Sequence, residues 1–447
     1  MSAAASHALL DWPARVPAEV AQHLLDADKA RLFELGEAAT WQAWQRQRLN
    51  EMVAWLWQDN AWRSWLAPLA AGRLQALPVM RRADYRAMIG RSPARVPPAF
   101  GPLGTKETSG SSGMPVRFHF SALAQRINVS LMHADDGRHG RDPHASVALL
   151  TVQARPPEGP HLEVPGDPWL HPGTHFVRHS AGFSLEENAR WLCQQPVRYL
   201  CTYPALLSGV LSMIELHGLA APRLAQVMTF AETVDPVLRE RTRRILGARL
   251  VDSYSCEEVG PLAFQCPASD EHLHVAVSNA IVEVVDDAGR PLPEGEAGSV
   301  VVTGLHQWAS PALRYELGDV AALLPHCPGC GAQVPTLTRL LGRRRVLVER
   351  ASGELFYVRV QAHDWLGCSP VTEWRMVQQT PRDFHVELVA PRPLTPEEHI
   401  AIQAMLAQRV GAEFRFALHQ RDAIAWPPGR KRQEILGLAA QATGDVA

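Results

Sequence analysis

A hydroxyl-rich, glycine-punctuated stretch from Thr105 to Ser121, TKETSGSSGMPVRFHFS, carries side chains suited to holding a polyphosphate. Glycines let the backbone turn tightly, and main-chain N–H groups with added hydroxyls can cradle phosphate oxygens. A Walker loop is excluded, because Met114 and Pro115 stand where that motif needs a lysine, a hydroxyl and a helix. Taken alone, such a string is more often a surface turn. The candidate phosphate-binding residues are Thr108, Ser109, Gly110, Ser111, Ser112 and Gly113.

Four further motifs follow this loop along the chain. DSYSCEEVGPLAF brings Glu257 and Glu258 to the end of a strand, and RYELGDVA places Asp319 after a turn at Gly318. GRRRV and PPGRKRQEIL come next, and the second carries Lys431. Each has an ordinary explanation by itself, such as a solvated acidic pair, a common turn or an exposed basic segment. Their order and separations make a chance coincidence improbable.

The cysteines indicate a metal site rather than a disulfide framework. There are seven, an odd number, and they are scattered except for CPGC. Cys327 and Cys330 supply two thiolates at the spacing of half a tetrahedral Zn²⁺ set. Cys266 with His274, or with His272, can supply the rest, while a chance CxxC is the alternative. The other cysteines are interpreted as ordinary buried or half-buried thiols: Cys193, Cys201, Cys256 and Cys368.

The elements that must position these residues are readable from periodicity. Tryptophan and leucine recur at helical spacing between about Pro17 and Ala71, which predicts two or three helices with the tryptophans as core. Apolar strands then alternate with amphipathic helices, which is typical of an α/β sheet. After Gly260 the pattern changes to paired strands and predicts a β-rich subdomain. The chain after GRRRV predicts a small α+β domain.

We therefore predict an α/β fold of two domains. The larger, residues 1–341, combines a helical lead over 1–100 with an α/β core and a β-rich, zinc-bearing subdomain over 101–341. The smaller, residues 342–447, is a C-terminal α+β domain.

Composition excludes several classes of function. The chain has 447 residues, of which 46% are hydrophobic, and a formal charge of −2 from 44 basic and 46 acidic residues. This balance gives no long-range attraction to nucleic acid or to an anionic membrane. The N-terminus has no basic region followed by an apolar one, and no apolar run approaches the ~18 residues of a membrane span. We expect a cytoplasmic protein, and a zinc-ribbon nucleic-acid binder is disfavoured.

In this order the motifs resemble those of the adenylate-forming (acyl-CoA synthetase) superfamily, and within it the phenylacetate-CoA ligase-like branch, from about residue 70 onwards. TSGSSGMP is similar to the TSGSTGxP phosphate loop, and FAETVDPVLRE is similar to the GAE segment. YSCEEVG resembles YGxTExG, and RYELGD resembles RYxTGD. The resemblance implies an adenylate-forming fold with a mobile C-terminal domain.

The resemblance also implies residue roles. Glu258 would hold Mg²⁺, Asp319 would accept the ribose hydroxyls, and Lys431 would bridge the new acyl phosphate. The branch has a similar Cys, His and CxxC arrangement, which implies a closed structural zinc on Cys266, His274, Cys327 and Cys330. The remaining implied ATP-binding residues are Ala231, Glu232, Ser253, Tyr254, Ser255 and Arg343, and the implied acyl pocket is Tyr203, Phe230, Ala231 and Gly260.

The sequence departs from the family pattern at several motif positions. Arg343 of the hinge motif GRxDD is kept, but the two acids are missing, which puts the second half-reaction in question. Arg430 is a rival to Lys431 because GRK stands where GK is expected. The other departures are Met114 for lysine, Ser255 for glycine, Glu257 for threonine, and Arg345 and Val346 for the hinge acids.

The predicted activity is ATP-dependent activation of a carboxylic acid. The acid becomes an acyl- or aryl-adenylate, pyrophosphate leaves, and the acyl group passes to coenzyme A. The expected partners are a small acid, aromatic by preference, and coenzyme A, with a homodimer as an option. Two alternatives stay open: an adenylating enzyme whose acceptor is an amine or a carrier-protein thiol, and an inactive adenylate-fold ligand sensor. The identity of the acid is open.

Overall fold

A computed structural model describes most of the chain. It covers residues 36–107, 116–151, 161–164, 173–180, 183–343, 347–358, 367–371, 373–424 and 434–438, with Lys29, Glu34, Val360, Asp364 and Trp365. The predicted site residues outside the described residues are Thr108, Ser109, Gly110, Ser111, Ser112, Gly113, Met114, Arg345, Val346, Arg430 and Lys431.

The chain divides into two compact units. The first comprises Met1–Lys106, Arg117–Leu317 and Ala321–Arg339. The second comprises Glu107–Val116, Gly318–Val320 and Leu340–Ala447.

The described part of the predicted helical lead contains helices α1 (Ala38–Leu56), α2 (Asn60–Leu66) and α3 (Arg82–Arg91). The beginning of the predicted lead, before residue 36, lies outside the described residues apart from Lys29 and Glu34. Asp59 begins α2 by accepting the N–H of Ala61 at 2.8 Å, which satisfies a donor that the helix leaves unpaired. Trp41 and Trp62 are buried, as expected for a core stripe, whereas Trp57 is 42% exposed. The prediction of a tryptophan core is therefore right for part of the cluster.

The predicted phosphate loop connects two paired strands. Strands β1 (Leu103–Glu107) and β2 (Arg117–Ser121), which flank the predicted phosphate loop in the sequence, form a two-stranded sheet. Helix α4 (Ala122–Arg138) follows at once. The Ser121 hydroxyl caps it by accepting the N–H of Ala124 at 3.2 Å.

One mixed sheet organises the first unit and bears out the α/β prediction. Strands β5, β3, β6, β7 and β8 are parallel neighbours in that order. Helices α5 (Leu185–Cys193), α6 (Pro204–Leu216) and α7 (Pro236–Leu246) connect them and bury an apolar core. The strands are β3 (Val147–Thr151), β4 (His161–Val164), β5 (His175–His179), β6 (Tyr199–Thr202), β7 (Gln226–Phe230) and β8 (Arg249–Cys256).

The β-rich segment continues this sheet instead of forming a separate one, which corrects the prediction of a distinct subdomain. The full order is β11-β12-β13-β14-β10-β9-β8-β7-β6-β3-β5-β4. Strand β9 pairs antiparallel with β8, and β10 pairs antiparallel with β9, so the sheet continues beyond β8 without a break. The added strands are β9 (Gly260–Gln265), β10 (Leu273–Val275), β11 (Ala280–Val285), β12 (Ala297–Gly304), β13 (Tyr315–Leu324) and β14 (Thr336–Arg343).

Gly318 does not reverse the chain, so the predicted turn before Asp319 is wrong. Both residues lie inside β13, where Gly318 has φ 77°. Glycine adopts this positive φ without the clash that a Cβ would cause, and the strand continues through it.

The second unit contains a small α+β module, as predicted for the C-terminal part of the chain. Its sheet has the order β19-β18-β17-β20 and packs an apolar face with helix α8 (Pro396–Arg409). Thr395 and Glu398 form a capping box at the start of α8. The strands are β15 (Leu347–Glu349) and β16 (Leu355–Tyr357) in a hairpin, then β17 (Glu373–Thr380), β18 (Asp383–Val389), β19 (Arg415–Arg421) and β20 (Ile435–Leu436). Within the described chain no helix has the length and apolar character needed to cross a bilayer.

Candidate active site and metal centre

The two adjacent carboxylates of the EE motif have different environments at the turn between β8 and β9. Glu258 is only 5% exposed, and the Tyr315 hydroxyl donates to its Oε1 at 3.0 Å. Glu257 is exposed, and its carboxylate lies 3.9 Å from Nζ of Lys106. An exposed pair of this kind contributes little, whereas a buried carboxylate needs its partner. Glu258 is therefore the carboxylate that the fold holds in place.

Tyr315 is kept as a hydrogen-bond donor by its surroundings. Burial, and the nearby negative charge of Glu258, raise the pKa of its hydroxyl above the ordinary value. Its ring lies 5.0 Å from that of Tyr85, whose own hydroxyl donates to the Ser310 carbonyl at 3.1 Å. The second oxygen of Glu258, Oε2, has no hydrogen-bond partner among the described residues. Within the described part of the chain, one carboxylate oxygen is thus fixed by a hydrogen bond and the other is not.

Arg314, the arginine of the RY motif, is a structural residue. It is 2% exposed, and its Nε lies 3.0 Å from Glu283 Oε2. Its remaining nitrogens donate to the carbonyls of Leu77 at 2.7 Å and Gly289 at 2.8 Å. A buried guanidinium is tolerated only when paired and hydrogen-bonded in this way. Asp319 in β13 is also buried, at 7% exposure.

The predicted adenine and acyl residues gather where neighbouring parallel strands end. Tyr203 follows β6, Phe230 ends β7, and their rings lie 4.7 Å apart. Ala231 follows with φ 66°, a conformation that costs a non-glycine residue on the order of 1–3 kcal/mol. Glu232 then accepts the N–H of Ala205 at 2.8 Å at the start of α6. In open α/β sheets, ligands bind outside the carboxyl ends of such strands.

The Ser253, Tyr254 and Ser255 positions lie in β8, next to this segment. Ser253 is the register partner of Phe230, and its hydroxyl donates to the Thr229 carbonyl at 3.3 Å. Tyr254 is half-buried and Ser255 is exposed. Arg343 is the last residue of strand β14.

Gly260 is the first residue of β9 and has φ 96°. It lies against Asn128, a helix residue that the sequence analysis did not identify. A Cβ at this position would lie 2.4 Å from Oδ1 of Asn128 in α4. The Asn128 amide therefore packs directly against the glycine, and the positive φ disfavours any other residue there.

Four potential metal donors converge at one place in the first unit. Single donor atoms of the four predicted ligands all lie within 4.8 Å of one another. Sγ of Cys327 is 3.8 Å from Sγ of Cys266, and Sγ of Cys330 is 3.3 Å from Nε2 of His274. A tetrahedron with Zn–S of about 2.3 Å and Zn–N of about 2.0–2.1 Å has edges of roughly 3.6–3.8 Å. The donor set therefore fits Zn²⁺. It comprises Cys266, His274, Cys327 and Cys330.

The structure also bears on the choice between the two histidines. His272 is half-buried and places Nδ1 3.6 Å from Cys327 alone, so it stands beside the four-donor group rather than in it. Burial would raise the pKa of the Cys327 thiol, but hydrogen bonds led by that from His274 lower it to about 6. A thiol of this kind is readily deprotonated, as a zinc ligand must be.

Sequence reasoning missed Asn128, and it did not pair Tyr315, which belongs to the RYELGDVA motif, with Glu258. Tyr315 is 57 positions from Glu258, and Asn128 is farther still from Gly260. No local motif links these pairs. The close approach forced by Gly260 was the single signal of a neighbour, and it did not name Asn128.

Comparisons with known proteins match this description. A family model described as "AMP-binding enzyme" matches residues 169–308. Phenylacetate-coenzyme A ligases of Thermus thermophilus and Escherichia coli are 34% and 31% identical over 116 residues, which is 25% of this chain and 26% of each relative. The alignable stretch thus spans about a quarter of those relatives.

Solved structures extend the similarity of fold to nearly the whole chain. A 2-hydroxyisobutyryl-CoA ligase in the postadenylation state, in complex with R3-HIB-AMP, aligns with a TM-score of 0.67 at 16% identity, covering 93% of this chain and 94% of that one. The same ligase in the thioesterification state, with 2-HIB-AMP and CoA, aligns with a TM-score of 0.59 at 17% identity, covering 93% of each chain.

Proposed function

We propose that this chain is an ATP-dependent ligase of the adenylate-forming superfamily, in the phenylacetate-CoA ligase-like branch. It converts a carboxylic acid to an acyl- or aryl-adenylate and then to a coenzyme A thioester. The observation that carries the proposal is the buried Glu258, which Tyr315 holds by Oε1 and whose Oε2 has no hydrogen-bond partner among the described residues. It lies inside the segment that the AMP-binding model matches.

The first half-reaction joins the acid to AMP. A carboxylate oxygen of the acid attacks the α-phosphorus of ATP, and the bond from that phosphorus to the bridging oxygen of pyrophosphate breaks. Charge develops on phosphate oxygens, so the protein contributes positioning and positive potential more than covalent chemistry. The loop Thr108–Gly113 would hold the β and γ phosphates, and Lys431 would bridge the acyl phosphate, with Arg430 as its rival.

Glu258 would hold Mg²⁺ through the oxygen that Tyr315 leaves open. This ion favours one or two carboxylates together with substrate phosphates, and when bound it neutralises phosphate charge. Asp319 would accept the ribose hydroxyls. Ala231, Glu232 and Tyr254 would line the adenine and the acyl group, and Tyr203, Phe230 and Gly260 would complete the acyl pocket. The aromatic pair Tyr203–Phe230 supports an aromatic acid.

In the second half-reaction the thiolate of coenzyme A attacks the acyl carbonyl and AMP leaves. The solved ligase with bound CoA shares the fold of this chain and supports that acceptor. One observation favours an amine or carrier-protein thiol instead, because Arg345 and Val346 replace the acidic hinge residues. A hinge needs only backbone positions free to change dihedrals, so coenzyme A stays the preferred acceptor.

A structural zinc on Cys266, His274, Cys327 and Cys330 completes the proposal. These residues tie the β9–β10 hairpin to the segment before β14, and zinc held by them would add folding energy there. No reaction step involves it.

The test is acid-dependent ATP–pyrophosphate exchange, screened over aryl, amino-aryl and short aliphatic acids. Coenzyme A is then added and the products are identified by mass spectrometry. We expect exchange with at least one aromatic acid and an acyl-CoA product. Accumulated acyl-AMP with coenzyme A untouched would favour the other acceptors, and exchange with no acid would favour the sensor alternative.

A further inference from the structure

A buried charged network lies directly behind the proposed metal ligand His274. The His274 side chain is 3% exposed, and its two ring nitrogens face different partners. Nε2 points to the donor group, 3.3 Å from Sγ of Cys330. Nδ1 is buried on the opposite side, where Oε1 of Glu34 lies 3.8 Å away. Among the described residues Nδ1 has no partner within hydrogen-bond distance.

Glu34 is held rigidly by an arginine. Nε of Arg138 donates to Oε2 of Glu34 at 2.9 Å, and Nη2 of the same guanidinium donates to Oε1. The two side chains are 13% and 8% exposed. A two-pronged pair of this type fixes the plane of the carboxylate as well as its position.

Arg138 is itself fixed by the end of α4 and by β9. Its Nη1 donates to Oδ1 of Asp135 at 2.7 Å, and Oδ2 of that aspartate accepts from Arg141 at 2.7 Å. The guanidinium also lies 5.3 Å from the ring centre of Phe264, the direct cross-strand neighbour of His274. The carboxylate behind His274 is thus anchored to the same pair of strands as the ligand.

We propose that Glu34, oriented by Arg138, is the outer-shell residue that prepares His274 for metal binding. With the metal bound, the Glu34 carboxylate closes the 3.8 Å gap and accepts a hydrogen bond from Nδ1–H, which leaves the lone pair of Nε2 for the metal and fixes the ring orientation. Carboxylates behind metal-bound histidines have this effect and raise the basicity of the ligand. The inference rests on the zinc site proposed above. It makes a residue of the helical lead, 240 positions before His274, part of the metal centre.

A plain buried ion pair is the competing explanation, and metal dependence separates the two. If Glu34 only pairs with Arg138, its loss destabilises the metal-loaded and metal-free proteins equally. If Glu34 prepares His274, its loss acts mainly on the metal-loaded form.

The experiment compares Glu34→Gln with Glu37→Gln in the full-length protein. Glu37 is a matched control, since it is exposed, lies three residues away and makes no capping hydrogen bond. Zinc affinity is measured by competition with a chromogenic chelator, and the ligand-field absorption of the Co²⁺-substituted protein is recorded. Thermal unfolding is then followed for the metal-loaded and the metal-free form of each variant. Arg138→Lys, which keeps the charge but loses the two-pronged geometry, is a second variant in case Glu34→Gln folds poorly.

We expect Glu34→Gln to weaken zinc affinity about 10- to 100-fold, to change the cobalt spectrum, and to lower the melting midpoint of the loaded form more than that of the metal-free form. Arg138→Lys should weaken affinity in the same direction, and Glu37→Gln should match wild type. Wild-type affinity in both Glu34→Gln and Arg138→Lys, or equal destabilisation of loaded and metal-free forms, would overturn the inference. A wild type that binds no zinc would remove the metal site itself, while exchange activity tests the adenylation proposal separately.

Discussion

Removing the Tyr315 hydroxyl is a direct test of how Glu258 is held. Tyr315→Phe deletes the donor 3.0 Å from Oε1 of a carboxylate that is 5% exposed, and leaves the aromatic ring in place. A hydrogen bond to a charged group contributes about 1.5–3 kcal/mol. If that energy serves to orient Glu258 in the transition state, the exchange rate should fall roughly 10- to 150-fold.

Tyr85→Phe is the matched control for this substitution. It removes a buried hydroxyl from the ring next to Tyr315, but that hydroxyl donates to the Ser310 carbonyl and not to Glu258. The assay is acid-dependent ATP–pyrophosphate exchange at saturating ATP, with thermal melts of each variant. We expect Tyr85→Phe to lower the melting midpoint with exchange largely kept, and Tyr315→Phe to lose exchange beyond any loss of stability. Exchange within twofold of wild type in Tyr315→Phe would refute the reasoning.

Three further predictions follow from other parts of the structure. Cys327→Ser should contain no bound zinc when measured by elemental analysis and should melt at a lower temperature than wild type. Cys368→Ser, which lies outside the four-donor group, should keep the bound zinc and the wild-type melting temperature. Asp319→Ala should cut exchange about tenfold or more through weaker ATP binding, and an unchanged KM for ATP would count against the ribose role. Burial raises the pKa of Asp252 to about 7, although Thr229 and Arg239 oppose the shift, so its contribution to stability is full below about pH 3.8 and is lost as pH rises to about 7. Urea unfolding should show a steeper loss between pH 4 and 7 for wild type than for Asp252→Asn, and parallel curves would contradict this.

Features that depend on the local spacing of residues could be predicted from the sequence. Two thiolates at CPGC spacing and a Cys–His segment were enough to select the four donors that the structure brings together. Alternation of apolar residues gave the α/β sheet and the C-terminal strands, because periodicity reports burial directly. Capping signals such as Thr395 and Gly247 marked helix ends correctly.

Long-range pairing could not be predicted in the same way. The contact of Tyr315 with Glu258 and the placement of Glu34 behind His274 depend on how distant strands and helices pack. Tyr315 belongs to the RYELGD motif, but the motif does not name its partner, and Glu34 carries no local signal. The β-rich segment looked separate because its pattern changed after Gly260, but hydrogen bonding from β8 to β9 continues one sheet. The glycine of RYELGD predicts a turn, but glycine permits a positive φ in turns and strands alike, so this residue type does not distinguish the two.

The central claim is that Glu258 supports adenylation of a carboxylic acid. Acid-dependent ATP–pyrophosphate exchange tests it most directly, with wild type compared with Glu258→Gln and with Glu257→Gln as the exposed neighbour. We expect exchange in wild type, a loss of tenfold or more in Glu258→Gln, and near-normal exchange in Glu257→Gln. Full exchange in Glu258→Gln, or none from wild type with any acid in the screen, would contradict it.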